Sequence, residues 1–161
     1  MSAPSTLPLA VDAETPLSRP ELDVLRRQFD RESPNVTVQT KFNYAWGLVK
    51  SNYRKDQEKG ITLLLEVHQE APNRQRECLY YIALGFYKLG NYAEARRFNQ
   101  ALLAYEPKNE QALSLGELID KKVSKVLVKG MQLASQFAIA AEFHIDVLVE
   151  TESDQIQGFF D

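Results

Sequence analysis

Apolar residues recur three to four positions apart over most of residues 18–128, and breaks in that rhythm divide the stretch into six segments of helical period. The first follows Ser18-Arg19-Pro20-Glu21, a capping-box pattern in which Ser18 is the N-cap, Glu21 stands three residues later and Pro20 sits in the first turn, where its missing N–H costs nothing. Behind it Leu22, Leu25 and Phe29 share a stripe until Ser33-Pro34-Asn35 ends the helix. A second helix is predicted over 37–51, and a third over 56–70 with Ile61, Leu64, Leu65 and His68 on one face. A fourth covers 74–89 after the break at Pro72-Asn73, and a fifth runs from Tyr92 to Tyr105. Asn109 caps a sixth, whose stripe is Ala112, Leu113, Leu115, Leu118, Ile119, Val123 and Val126. Short connections make neighbours antiparallel, so the expected fold is all-α, a six-helix antiparallel bundle or superhelix.

Two of the helix pairs are copies of one unit. From Ala83, Gly90 follows after seven residues, Tyr92 after nine, Ala95 after twelve and Pro107 after twenty-four, the spacing of a tetratricopeptide repeat. Small residues stand where two antiparallel helices cross closely, Gly90-Asn91 turns the chain, and Pro107 ends the second helix. Upstream, Ala45-Trp46-Gly47-Leu48 precedes Ala83-Leu84-Gly85-Phe86 by 38 residues, whereas Gly60 precedes Ala95 and Pro72 precedes Pro107 by 35. The three extra residues are assigned to a longer turn, Asn52 to Glu58. One repeat cannot bury its apolar face alone, so repeats over 38–72 and 76–107 need caps within a helical domain of residues 18–128. Residues 1–17, with Pro4, Pro8 and Pro16, read as a flexible arm in which Leu7, Leu9 and Val11 alternate, and residues 129–161 as a separate tail.

Composition narrows the chemistry. With 44% hydrophobic residues among 161, one domain is expected, and a net charge of −3 gives no basic field for nucleic acid. Cys78 is the only cysteine, flanked by Leu79-Tyr80-Tyr81, and reads as a packed residue of a protein from a reducing compartment. Neither His68 nor His144 stands near a partner in sequence, and there is no phosphate loop, metal-ligand cluster or nucleophile elbow. No enzyme activity, cofactor or small-molecule substrate is expected.

The repeat register predicts where a partner would sit. The first helix of each pair lines the concave side of such a superhelix, and Ala83 at the small-residue position turns Glu77, Tyr80, Leu84, Tyr87 and Lys88 inward. The matching residues of the first repeat are Gln39, Phe42, Trp46, Val49 and Lys50. An aromatic and aliphatic groove with charge at its edges suits the apolar face of a helix. A clamp for a C-terminal carboxylate is disfavoured, because Phe42 and Trp46 hold the positions that such a clamp fills with Lys and Asn.

Phe42-Asn43-Tyr44-Ala45-Trp46-Gly47-Leu48-Val49-Lys50-Ser51, Arg76-Glu77-Cys78-Leu79-Tyr80-Tyr81 and Tyr87-Lys88-Leu89-Gly90 go beyond a generic repeat. Over about Leu17 to Gly130 the chain resembles the fungal form of the mitochondrial fission 1 protein family. The resemblance implies a non-enzymatic adaptor, tail-anchored in the mitochondrial outer membrane, facing the cytosol, and often present on peroxisomes. It also implies recruitment of a dynamin-related GTPase through a WD-repeat adaptor, whose helical segment would engage the concave surface (Phe42, Trp46, Val49, Glu77, Tyr80, Leu84 and Tyr87) and the arm before Pro16. The alternative is a soluble scaffold of the same repeat type for another helical client.

The tail departs from that family. After Val128-Lys129-Gly130 the longest uncharged stretch, Gly130 to Ala141, is twelve residues, and Glu142 and Asp146 follow where about twenty apolar residues would be needed to span a bilayer. The tail is therefore expected not to span, this polypeptide to be soluble and cytosolic, and the segment to lack stable structure, although Phe143, Ile145, Val147 and Val149 alternate as in a strand.

Overall fold

The computed structural model of the chain describes residues 15–157, with side chains for residues 15–138. The arm's residues 1–14, including Leu7, Leu9 and Val11, lie outside the described residues. Six α-helices follow in order: α1 (Arg19–Glu32), α2 (Val38–Lys50), α3 (Arg54–Glu70), α4 (Gln75–Lys88), α5 (Tyr92–Tyr105) and α6 (Glu110–Gln157). A 3₁₀ turn, Pro72–Arg74, separates α3 from α4, and no strand occurs among the described residues. The chain forms two compact units, residues 1–121 and 122–161.

Local chemistry sets the helix boundaries of the first unit. At the start of α1 the Ser18 backbone N–H donates to Glu21 Oε2 at 2.9 Å, as the capping-box pattern requires. Thr37 Oγ1 accepts from the Thr40 N–H (3.3 Å), Asn91 Oδ1 from the Glu94 N–H (3.3 Å) and Asn109 Oδ1 from the Ala112 N–H (2.9 Å), so α2, α5 and α6 each begin on a side-chain cap. Helix α4 ends at Gly90, whose φ of +79° only glycine adopts without strain. The Asn91 N–H there reaches Phe86 O and the Gly90 N–H reaches Tyr87 O, the paired bonds of a Schellman ending.

Packing within the first unit follows the repeat. Ala83 of α4 and Ala95 of α5 have no exposed surface, and the two helices pack against each other. In the other repeat Gly60 of α3 faces α2 so closely that a Cβ there would lie 2.8 Å from Ala45 O and 2.9 Å from Val49 N. Phe42, Leu64, Val67, Tyr80, Tyr81, Ile82, Leu102, Leu115 and Ile119 are buried almost completely, each worth about 1.5–3 kcal/mol of apolar transfer. Leu25 of α1 caps one side of the repeats, and Ala112, Leu115 and Ile119 cap the other.

Two expectations are corrected. The turn between α2 and α3 is short, and α3 starts at Arg54. The three additional residues of the first repeat therefore extend the helix, which has 17 residues against 14 in α5. Gln57 accompanies the early start: it is buried, and its Nε2 donates to Ser51 O at 2.7 Å, so the added helical turn places its amide against the end of α2. The tail is neither strand-like nor without regular structure, since α6 continues through Gly130 to Gln157. Residues 122–157 contain no proline and many strong helix formers, and a helix satisfies its own backbone without the second strand that alternation at 143–149 would need.

Candidate functional site

Helices α2 and α4 carry all of the residues assigned to the groove, and the structure separates them by exposure. Phe42, Val49, Tyr80 and Leu84 have no exposed surface, and Trp46 and Tyr87 retain 6% each. Gln39 is exposed, and Glu77, Lys88 and Lys50 are partly exposed. The apolar members thus form a closed aromatic floor, where an open apolar trough was expected. The rings account for the closure. Phe42 and Tyr81 meet edge to face at 6.2 Å, Tyr80 and Tyr81 at 5.3 Å, and Tyr87 tilts against Tyr92 at 5.9 Å.

Cations and amides finish the rim. The Lys50 ammonium sits 5.6 Å from the Trp46 ring centroid, and Lys88 Nζ donates to Ser51 O at 3.2 Å, tying α4 to the end of α2. Arg74, which sequence reasoning left out, lies with its guanidinium 5.1 Å from the centre of the Phe42 ring and donates to Gln39 Oε1. Gln39 in turn donates to Asn43 Oδ1 at 2.8 Å. No repeat position points to Arg74 because it falls between the two repeats, in the 3₁₀ turn that joins α3 to α4; its one signal is the Pro72-Asn73 break just before it.

Titration chemistry is quiet. Burial pushes the Cys78 thiol up to about 12, so it is no nucleophile at neutral pH. Burial likewise pushes the Tyr81 phenol up to about 12, opposed by the nearby Trp46 side chain, and its hydroxyl makes no full hydrogen bond. No group of three or more His, Cys, Asp or Glu able to hold a metal occurs among the described residues. A second concavity, of about 880 Å³, lies beside α1 and is lined by Arg19, Leu22, Tyr44, Tyr53, Asp56 and Lys59 among others. Its charges are mixed, with Arg19 stacked 4.5 Å over Tyr53 and Lys59 5.0 Å from the Tyr44 ring.

Residues 39–70 match the Fis1 N-terminal tetratricopeptide repeat and residues 76–127 the Fis1 C-terminal tetratricopeptide repeat. A mitochondrial fission 1 protein of Neurospora crassa is 60% identical over 135 residues, spanning 84% of this chain and 88% of the relative. Among solved structures, the crystal structure of the fission protein Fis1 from Saccharomyces cerevisiae aligns with a TM-score of 0.72 at 38% identity, covering 79% of this chain and 99% of that one. The crystal structure of yeast Fis1 in complex with an Mdv1 fragment containing the N-terminal extension and coiled coil domains aligns equally well, with a TM-score of 0.72 at 39% identity over 78% of this chain and 99% of that one.

Proposed function

The chain belongs to the mitochondrial fission 1 protein family, a group of tetratricopeptide-fold adaptors and not of enzymes, and on that premise we propose that it binds a helical segment of a fission adaptor along the α2–α4 face. The observation that carries the reading is the aromatic floor between these two helices, bordered by the polar groups of Gln39, Glu77 and Lys88, together with a relative of the same fold seen with a coiled-coil-containing fragment. The proposed consequence is recruitment of a dynamin-related GTPase through a WD-repeat adaptor. The place of action is the cytosolic face of the mitochondrial outer membrane, and by the same family reasoning the peroxisome.

Because six of the apolar groove residues are buried, the test separates binding from folding. A fission-adaptor fragment carrying the coiled coil is titrated against the full chain. Glu77→Lys and Gln39→Ala change the rim without opening the core and are expected to weaken binding. Trp46→Ala and Tyr87→Ala are expected to cost about 2 kcal/mol or more in binding if the rings are anchors. Circular dichroism of each variant shows whether the loss is only unfolding. Undiminished binding by all the folded variants would remove the adaptor from this face, and no binding by the parent chain would end the adaptor reading.

A further inference from the structure

The concavity beside α1 holds positive charge that the fold does not pair. Its three carboxylates are held by other groups. Glu21 accepts from the Ser18 N–H at 2.9 Å and from Ser18 Oγ at 2.6 Å, Asp23 pairs with Arg26 at 3.2 Å, and Asp56 accepts from Ser51 Oγ at 2.7 Å. The other cations of the lining, Arg19, Lys55 and Lys59, make no ion pair among the described residues. Arg19 lies over the Tyr53 ring, Lys59 Nζ donates to the Tyr44 hydroxyl at 3.4 Å, and Lys55 stands one helical turn from Lys59 on the same face of α3. Three cations without a carboxylate, around a space of about 880 Å³, suit an anion.

The chain itself brings to this space a hydroxyl that can acquire the anion. Ser or Thr precedes Pro at two places in the sequence, Thr15-Pro16 and Ser33-Pro34. Thr15 is exposed, the proline after it keeps its backbone out of the helical region, and Pro16 lines the concavity. The Leu17 N–H donates to Lys50 O at 3.3 Å, which pins this segment where α2 ends and α3 begins. We propose that Thr15 is a phosphorylation site for a proline-directed protein kinase, and that its phosphate seats on Arg19, Lys55 and Lys59. The kinase moves the γ-phosphoryl group of ATP to Thr15 Oγ1: the bond to ADP breaks, the bond to Oγ1 forms, and the hydroxyl proton passes to the base of the kinase. The product carries about −1.5 to −2 charges at pH 7 and three acceptor oxygens, which match the three cations. Ser33 is exposed too, but its surroundings oppose a phosphate. Its hydroxyl donates to Phe29 O at 3.4 Å at the C-terminal, negative end of α1, and the neighbouring Glu32 carboxylate is held by Thr37 and Thr40.

The full chain is incubated with a proline-directed kinase and ATP, and the modified residue is located by mass spectrometry. Phosphate is expected on Thr15; phosphate on Ser33 alone, or none, would overturn the proposal. Phosphorus NMR then titrates the phosphothreonine, whose second pKa is ordinarily about 6. Cations at the phosphate favour the dianion, so the value is expected about half a unit lower in the parent and back near 6 in a Lys55→Gln, Lys59→Gln chain. High salt should shrink that difference. Thermal unfolding before phosphorylation shows whether the two substitutions disturb the fold, and Lys55→Gln alone, at an exposed residue, should give part of the same shift. A phosphothreonine that titrates alike in the parent and both variants would leave the phosphate in solvent and overturn its seat. None of these measurements involves the adaptor, so failure here is distinct from failure of the adaptor reading.

Discussion

Replacing Gly60 with Ala tests the close approach of α3 to the backbone of α2. In an exposed helix the change stabilises by about 1 kcal/mol, because alanine has the better propensity. At Gly60 the new Cβ would stand 2.8 Å from Ala45 O, 2.9 Å from Val49 N and 3.0 Å from Leu48 Cβ. The first is about 0.7 Å inside a contact of roughly 3.5 Å, and two of the three atoms are backbone of α2, which no rotamer change can move. The helices must separate, which loosens Val49 and Leu64, both without exposed surface. Overpacking of this kind costs about 1–3 kcal/mol beyond the propensity gain, or several degrees in Tm for a unit of this size. Gly130→Ala is the matched control, since a Cβ there meets nothing within 4 Å. Thermal and urea unfolding of both variants check the argument. A Gly60→Ala chain as stable as the parent would mean that α2 and α3 do not approach this closely.

Ala83→Leu and Ala95→Leu each force a larger side chain into a position without exposed surface, and each should lower stability by about 1–3 kcal/mol in the same unfolding assay. Glu32 accepts hydrogen bonds from Thr40 Oγ1 (2.7 Å) and from the Thr37 N–H (3.0 Å), which hold its carboxyl down to about 2 from 4.5. A depressed carboxyl stabilises the fold above its unfolded value and loses that contribution as pH falls, so Tm should decline from about pH 4.5 toward pH 2, and Glu32→Gln should flatten part of that decline. Cys78 should resist thiol reagents at neutral pH and react at the rate of unfolding, as a labelling time course in rising urea would show.

Much of the fold was legible because it rests on local chemistry. The Ser18 capping box, the Asn91 and Asn109 caps and the Gly90 turn are each specified within a few residues, and α5 has the bounds that its periodicity indicates. The start of α3 was not legible, because it depends on where the Gln57 amide finds a carbonyl, a contact six residues away. Helix α6 beyond Gly130 was misread for a different reason. Period-two alternation at 143–149 suggested a strand with no partner, hence no stable structure, whereas a helix needs no partner for its backbone hydrogen bonds. At the groove the repeat register identified the helices and left exposure open, since whether Phe42 is floor or trough depends on how Tyr81 and Arg74 pack against it.

That distinction decides what mutations on this face can mean. A side chain with no exposed surface cannot touch a partner in this conformation, so a loss of binding from Phe42→Ala, Val49→Ala, Tyr80→Ala or Leu84→Ala reports damage to the support beneath the site. On the proposed face the side chains open to contact are Gln39, Glu77, Lys88 and Lys50, with the exposed slivers of Trp46 and Tyr87. Arg74 links the two sets, since it stacks on the buried Phe42 ring and holds the amide of the exposed Gln39. Arg74→Lys keeps the charge and loses the planar stack and the fork of donors. It should therefore weaken adaptor binding through Gln39 while leaving Tm almost unchanged, whereas a drop in Tm comparable to that of Phe42→Ala would make Arg74 part of the core and not of the site.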